Sequence, residues 1–448
     1  MYVTNFLYGS ILKNMSLPNN RKLSAIPSRK VKSVPVRSLQ SIQSVTDIKK
    51  NFIFFGCWNN VDCKNVLDYR DRVLLFLKNL KPNNKIILAG DNWYSQKRDN
   101  SKYYLPEVLK SGYEKLFDVS KDISIVLGNH DINKPKGNKL CEDLGCMLFL
   151  QVKAIQDILV DLKSSYNLDV TEMSIKPIYK FNKVKLYSCE PKLVKQYNSN
   201  VYFLYLNTNV FLEDTEYIDN YIAKIEALLK SKYISLLFIV GHHPFFSFKP
   251  KGDEDISKHY KGVKELYFKK EKCDDKVQAI YRFLDVFAKY TSIYLCADVH
   301  NFQICKLHRN IIMITCGTGG ANKDKVDESI VSHLKTFTLN DSYTVTDLYV
   351  HNSYGFSDIK YNSNNIIVDY YKINDNTYSI FSYEISLPNL KIKKLGSQED
   401  LRVSFLSTSM FSSIEQSRVR HKTFCEKSTD LKQLLGTYNS VPCGIKEK

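Results

Sequence analysis

Short apolar runs that stop at glycine plus a polar cluster alternate with segments whose apolar residues recur every three or four positions. Phe52-Ile53-Phe54-Phe55 stops at Gly56, Ile86-Ile87-Leu88-Ala89 at Gly90-Asp91, and Ile123 to Leu127 at Gly128-Asn129-His130-Asp131. Val66, Tyr69, Val73, Leu77 and Leu80 keep helical spacing between the first two runs, and a second helix is predicted around Leu105 to Leu116. Runs this short read as buried strands. Strand, helix, strand, helix, strand is the βαβ signature of an α/β fold. The pattern resumes with a strand at Val201 to Leu206 and a helix marked by Ile218, Ile222, Ile225 and Leu229. Leu236 to Val240 is a strand ending at Gly241-His242-His243-Pro244. A helix near Val277 to Lys289 follows, then a strand at Ser292 to Cys296 ending at Ala297-Asp298-Val299-His300. Ile311 to Thr315 ends at Gly317-Thr318-Gly319-Gly320, and Ile366 to Tyr371 pairs with Tyr378 to Ile385 around an Asn374-Asp375-Asn376 turn.

The ends of the chain lack this order. Residues 1–48 are rich in Ser, Asn, Pro and basic residues without an apolar period, which predicts a flexible basic arm. Beyond Leu390 the periodicity fades again, predicting a basic tail over 389–448 with one helix near Leu431. That leaves 49–388 as the folded domain. The longest apolar stretch, near Leu236 to Val240, is far short of the roughly 20 residues that cross a bilayer. Met1 to Leu12 has no leading cation and an interrupted apolar run, so it does not read as a secretory signal. The expectation is a soluble cytoplasmic protein without a membrane partner.

Composition adds two constraints. The 11 Cys are scattered, odd in number and form no C-x-x-C pair, so they read as core thiols and not as a disulfide or zinc framework. The net charge of +17 admits a phosphate-rich partner such as nucleic acid, or simply a lysine-rich surface. Much of the excess sits in the tails, and no recognition helix, zinc finger or aromatic-basic RNA-binding pattern accompanies it. A nucleic-acid partner therefore rests on charge alone.

In an open α/β sheet, ligands bind beyond the carboxyl ends of the strands. Those loops here hold Cys57, Asn59, Asp91, Tyr94, Asn129, His130, Asp131, His242, His243, Asp298 and His300. Oxygen donors gathered with imidazoles are what a dinuclear metal centre uses. Asp91 is the natural bridge, because a carboxylate has two oxygens. A Gly-Asp turn or a lone histidine is more often structural. Five such loops in order after five strands are hard to assign to turn chemistry.

Gly90-Asp91-Asn92-Trp93-Tyr94, Gly128-Asn129-His130-Asp131, Gly241-His242-His243-Pro244 and the loop ending at His300-Asn301 resemble the ordered motifs of the calcineurin-like metallophosphoesterases. The nearest branch by this likeness is that of the purple acid phosphatases, where the tyrosine of G-D-N-[FW]-Y binds ferric iron. The resemblance covers about Asn51 to Leu387. It implies a four-layer α/β/β/α sandwich and two metal ions, iron, manganese or zinc. One ion would be held by Cys57, Asp91, Tyr94 and His300, the other by Asp91, Asn129, His242 and Asp298. Two positions depart from the family pattern: Cys57 stands where a carboxylate is expected, and Asp298 where the last motif has its first histidine.

The same resemblance implies hydrolysis of a phosphate ester by in-line attack of a metal-activated water. His130, oriented by Asp131, would protonate the leaving alkoxide. His243 would contact substrate, as would Asn59, Asn92 and Asn301. The alternative is a binding protein that keeps the fold and a single metal ion, with Cys57 as its best support. The loops Asn133 to Asn182 and Ser247 to Asp275 carry no readable substrate code, and oligomeric state is not legible.

Overall fold

The computed structural model describes residues 50–60, 69–94, 96–98, 101–103, 106–132, 145–159, 176–249, 259–268, 273–308, 310–324, 336–339, 342–374, 377–387 and 389–402. The predicted N-terminal arm, most of the tail with its Leu431 helix, and the centre of the Asn374–Asn376 turn lie outside them.

The predicted strands, joined by others, assemble into two sheets. In the first, Lys50–Phe55, Ile86–Ala89, Ile123–Val126 and Val184–Tyr187 run parallel. All but the outermost is apolar along most of its length because both of its faces are covered. On one flank Tyr354–Tyr361, Asn365–Ile373, Thr377–Ser386 and Lys391–Arg402 add an antiparallel meander, and Ile178–Phe181 closes the other edge, giving nine strands. In the second sheet Val201–Tyr205, Leu236–Val240, Ser292–Cys296 and Ile311–Cys316 are the parallel centre of eight strands.

The sheets face each other through aromatic side chains. Phe52 of the first meets Phe203 and Phe238 of the second edge-on, at ring separations of 5.5 and 5.3 Å. The Tyr205 hydroxyl reaches across to Ser124 Oγ at 3.2 Å. Helices Tyr69–Leu80, Pro106–Val119 and Gly145–Leu159 lie on the first sheet's side, and Thr215–Leu229 and Asp274–Phe287 on the second's. This is the α/β/β/α sandwich the resemblance implies. The Thr215–Leu229 helix shows how such a layer is specified. Asp214 caps it by accepting from Tyr217 N at 2.8 Å, and Ile218, Tyr221, Ile222, Ile225 and Leu229 form the buried stripe. Among the described residues no helix is long and apolar enough to cross a membrane.

Several segments escaped the hydrophobic pattern, among them the strands Ile178–Phe181, Val184–Tyr187, Phe302–His308 and Thr344–His351 and the helix Gly145–Leu159, and two others show why. Lys391–Arg402 falls where a tail was expected, yet it pairs along Thr377–Ser386 as an edge strand. Ile392 is buried but residues 393–399 are exposed, so backbone hydrogen bonding and not apolar alternation holds it. Tyr354–Tyr361 is buried almost throughout despite Asp358 at its centre. Lys81, just past the first helix, meets that carboxylate at 2.8 Å. A fully buried charge needs such a partner.

Candidate metal centre

The parallel strands of both sheets point their carboxyl ends at one place, and the backbone turns sharply there. Cys57, Asp91 and Asp298 each adopt left-handed φ, +51°, +53° and +58°. For residues with a Cβ this costs about 1–2 kcal/mol apiece. The turns are held by Cys57 N donating to Gly90 O, Ala321 N to Cys57 O and Val299 N to Ala297 O. Gly128 must lack a side chain, because a Cβ there would lie 2.3 Å from Asp91 Oδ1.

Asp91 is almost wholly buried, and its two oxygens face different neighbours. Oδ2 accepts from the Tyr94 hydroxyl at 2.8 Å and lies 3.8 Å from Cys57 Sγ. Tyr94 in turn stands 3.3 Å from His300 Nε2. Ligand atoms of Cys57, Asp91 and His300 all lie within 4.8 Å of one another, close enough for one cation. Oδ1 accepts from His130 N at 3.0 Å and lies 3.2 Å from His242 Nε2. That same nitrogen is 3.0 Å from Asn129 Oδ1 and 3.7 Å from Asp298 Oδ1. The two sets of side chains predicted as metal ligands are thus gathered on opposite oxygens of one carboxylate.

Both imidazoles are aimed by backbone carbonyls. His242 Nδ1 donates to Ala89 O and His300 Nδ1 to Asn322 O, each at 2.6 Å, which leaves Nε2 of each ring toward the cluster. Metal-binding histidines are commonly oriented this way. Burial alone would raise the Asp91 carboxyl, but His242 and His130 outweigh it and hold it well below the usual carboxylate range. Burial would likewise lower His242; the charges of Asp91 and Asp298 win and lift it to about 9. Burial and the Asp91 charge push the Cys57 thiol and the Tyr94 phenol well up. A cation at Asp91 would reverse the sign of that charge effect. Burial draws the His130 ring down, with Asp91 partly opposing.

Five predicted site residues are placed differently. Asn59 is fully buried, with Arg70 donating to its Oδ1 at 2.8 Å and its Nδ2 near Leu109 O, so it ties two helices together. Asn92 is also fully buried: its amide spans Val126 O, Asp131 Oδ2 and the Trp58 indole. Asn301 Oδ1 accepts from Gln303 at 2.7 Å, and among the described residues its Nδ2 has no partner. Asp131 does not bond the His130 ring. Its oxygens accept from Asn92 N, Asn92 Nδ2, Gly128 N and Gln151 Nε2, knotting two ligand loops. Burial and the Asp91 charge nevertheless push this carboxyl up to about 7.

His243 is buried between the rings of Phe211 and Tyr267. The Thr208 hydroxyl accepts from the backbone N–H of both His242 and His243, at 3.0 and 2.9 Å. With both lone pairs engaged, it donates its own hydrogen to His243 Nδ1 at 2.9 Å. Burial, then the neighbouring His242, lowers His243 to about 4 and keeps it neutral. Thr208 went unnoticed in the sequence although Asn207-Thr208-Asn209 ends a predicted strand, the same signal that marked the other loops. Asp324 carried no signal: it accepts from His300 N at 2.9 Å and meets Lys249 at 3.2 Å.

Three solved structures are similar to this chain at low identity. The structure titled "GAP50 the anchor in the inner membrane complex of Plasmodium" is 13% identical with a TM-score of 0.40, covering 81% of this chain and 94% of that one. "Structure of PhoD" is 10% identical, TM-score 0.47, covering 84% and 77%. A single mutant of Vps29 from Entamoeba histolytica is 10% identical, TM-score 0.26, covering 77% and 98%. No curated protein matches the sequence. The calcineurin-like phosphoesterase model matches residues 50–300, a span that takes in every ligand loop from Cys57 to His300 and more than half of the 448 residues. The chain therefore belongs to the calcineurin-like phosphoesterase family.

Proposed function

We propose that this protein is a metal-dependent phosphoesterase that hydrolyses a phosphate ester at a two-cation centre bridged by Asp91. The observation that carries this reading is the division of the Asp91 carboxylate, with Cys57 and Tyr94 beside Oδ2 and His242 beside Oδ1. Phosphoester hydrolysis with metal ions is the general chemistry of the family. Cys57, Tyr94 and His300 would hold one ion with Asp91; Asn129, His242 and Asp298 would hold the other. The donors fit such ions: phenol and thiol favour iron, and imidazole, amide and carboxylate also suit zinc or manganese. Bound cations supply a hydroxide-like nucleophile at neutral pH and neutralise charge on the phosphoryl oxygens.

The remaining work falls to the protein's own side chains. His242 and His300, locked by the Ala89 and Asn322 carbonyls, present fixed nitrogens to the site. The half-buried His130 ring lies 4.5 Å from that of Tyr94 and can hold a proton for the leaving alkoxide. Asp131 and Thr208 act earlier, by fixing the loops that carry Asp91, Asn129 and His242.

One observation favours a second reading. Cys57 is a softer, single-atom donor where a carboxylate would offer two oxygens, which suits a binding protein that keeps one ion. Elemental analysis, paired with a p-nitrophenyl phosphate assay with and without added Mn²⁺, Fe or Zn²⁺, separates the two. About two metals per chain with chelator-sensitive turnover supports the enzyme. One metal or none, and no turnover under any metal, supports the binding protein.

A further inference from the structure

The end of the sandwich remote from the metal centre, where the parallel strands begin, has a different chemistry. The segments leading into those strands are 50–51, 81–85, 120–122, 182–183, 196–200, 230–235 and 289–291. They contain eight Lys and a single acid, Asp122. Lys81 is paired with Asp358 and Lys289 with Glu226. The other six, Lys50, Lys85, Lys121, Lys183, Lys230 and Lys232, have no carboxylate within ion-pair distance among the described residues. Such a cluster is an anion-attracting face.

The sheets also part here. A cleft of about 270 Å³ opens between them, walled by Phe52, Phe203 and Tyr361 and rimmed by Lys50, Asn51, Lys85, Asp122 and Gln196. Lys85 Nζ stands 4.8 Å over the Phe203 ring. Burial pulls its pKa down, with the Asp122 carboxylate of the same rim partly opposing. Lys50 Nζ donates to Tyr197 O at 3.0 Å, which pins the next turn beside the cleft. Tyr197 on that turn is 81% exposed, and Tyr233 on the neighbouring one is 76% exposed. The two turns are joined by Ser235 N donating to Asn200 O at 2.9 Å.

We propose that this pole binds single-stranded nucleic acid, with the lysines on phosphates and Tyr197 and Tyr233 stacked on unpaired bases. Basic residues interleaved with exposed aromatic rings are what a single strand needs, because every base has a face to stack. A duplex hides its base faces, so it would leave both tyrosines idle. A membrane surface would give neither tyrosine an aromatic face to stack on. The site is independent of the metal centre, and neither proposal depends on the other.

The test is anisotropy of a fluorescein-labelled oligouridylate titrated with the full chain across a salt series starting near 50 mM. Wild type should bind, with affinity falling linearly on a log–log salt plot. Joint Tyr197→Ala and Tyr233→Ala substitution, at exposed positions the fold does not need, should weaken binding about tenfold or more without changing the slope. Joint Lys230→Glu and Lys232→Glu substitution should lower the slope by about 0.7 for each phosphate that is no longer neutralised. Wild-type affinity in both variants would overturn the proposal, since binding would then come from charge elsewhere. So would no binding at the lowest salt, or capture by phosphatidylserine vesicles without oligonucleotide binding.

Discussion

Replacing Asp131 with asparagine changes one oxygen to an amide and leaves shape and volume almost untouched. In the wild type Oδ1 accepts from Asn92 N at 2.8 Å and Gln151 Nε2 at 3.2 Å, and Oδ2 from Asn92 Nδ2 at 2.9 Å and Gly128 N at 2.8 Å. In either orientation the new amide nitrogen faces two donors, one of them a backbone N–H. The Asn92 amide has no free flip, because its present orientation also satisfies Val126 O and the Trp58 indole. A buried donor left without an acceptor costs about 1–3 kcal/mol, so for two donors the loss should be about 2–6 kcal/mol. Urea titration followed by tryptophan fluorescence measures it, since Trp58 and Trp93 are fully buried beside this knot. Metal content should fall with stability, because Gly128 and Asn92 flank Asn129 and Asp91. If Asp131→Asn kept wild-type stability within about 0.5 kcal/mol while turnover collapsed, the knot would be wrong and Asp131 would belong to the chemistry.

Four other outcomes are expected. Cys57→Asp should raise metal occupancy by elemental analysis; unchanged occupancy and activity would remove Cys57 from the ligand set. His130→Ala should retain its metal yet slow turnover by roughly 10²-fold on esters with poor leaving groups, and a wild-type rate on such an ester would end its role as an acid. Gly128→Ala drives a Cβ against Asp91 Oδ1 and N, so metal affinity should drop roughly 10–100-fold, the size seen when ligand-supporting residues are removed; intact affinity by competition with a chelator would contradict this. Burial would raise the Asp71 carboxyl, but Arg70 and Lys115 outweigh it and hold it at about 2. A depressed carboxyl contributes its stability fully above its unfolded pKa near 4 and loses it as pH falls toward 2. The stability gap between wild type and Asp71→Asn should thus be about 2–3 kcal/mol at pH 7 and shrink on acidification; a gap that does not change with pH would refute it.

The sequence by itself determined most of the central strands and of the helices between them, and the order of the ligand loops; the Val184–Tyr187 strand and the Gly145–Leu159 helix were not legible in it. Each central strand is buried on both faces, so it must be a short unbroken apolar run, and the chain must leave it at a turn rich in Gly and polar residues. Phe52 to Gly56 and Leu236 to Gly241 show that logic locally, and it sufficed to place Asp91, Asn129, His242, Asp298 and His300 at one end of the fold. Tertiary structure decided which polar side chains are consumed in holding that end together. Asn59, Asn92 and Asp131 sit in the same loops as the ligands, but their partners come from other elements: Arg70, Val126 and Gln151. A polar residue in a strand-end loop can face the cluster or brace the loop, and the choice depends on donors distant in sequence. Thr208 joined the site for the same reason, beneath two histidines that follow it by more than thirty residues. Lys391–Arg402 makes the point for the backbone, since an edge strand is held by its neighbour's N–H and C=O groups and leaves almost no trace in its own side chains.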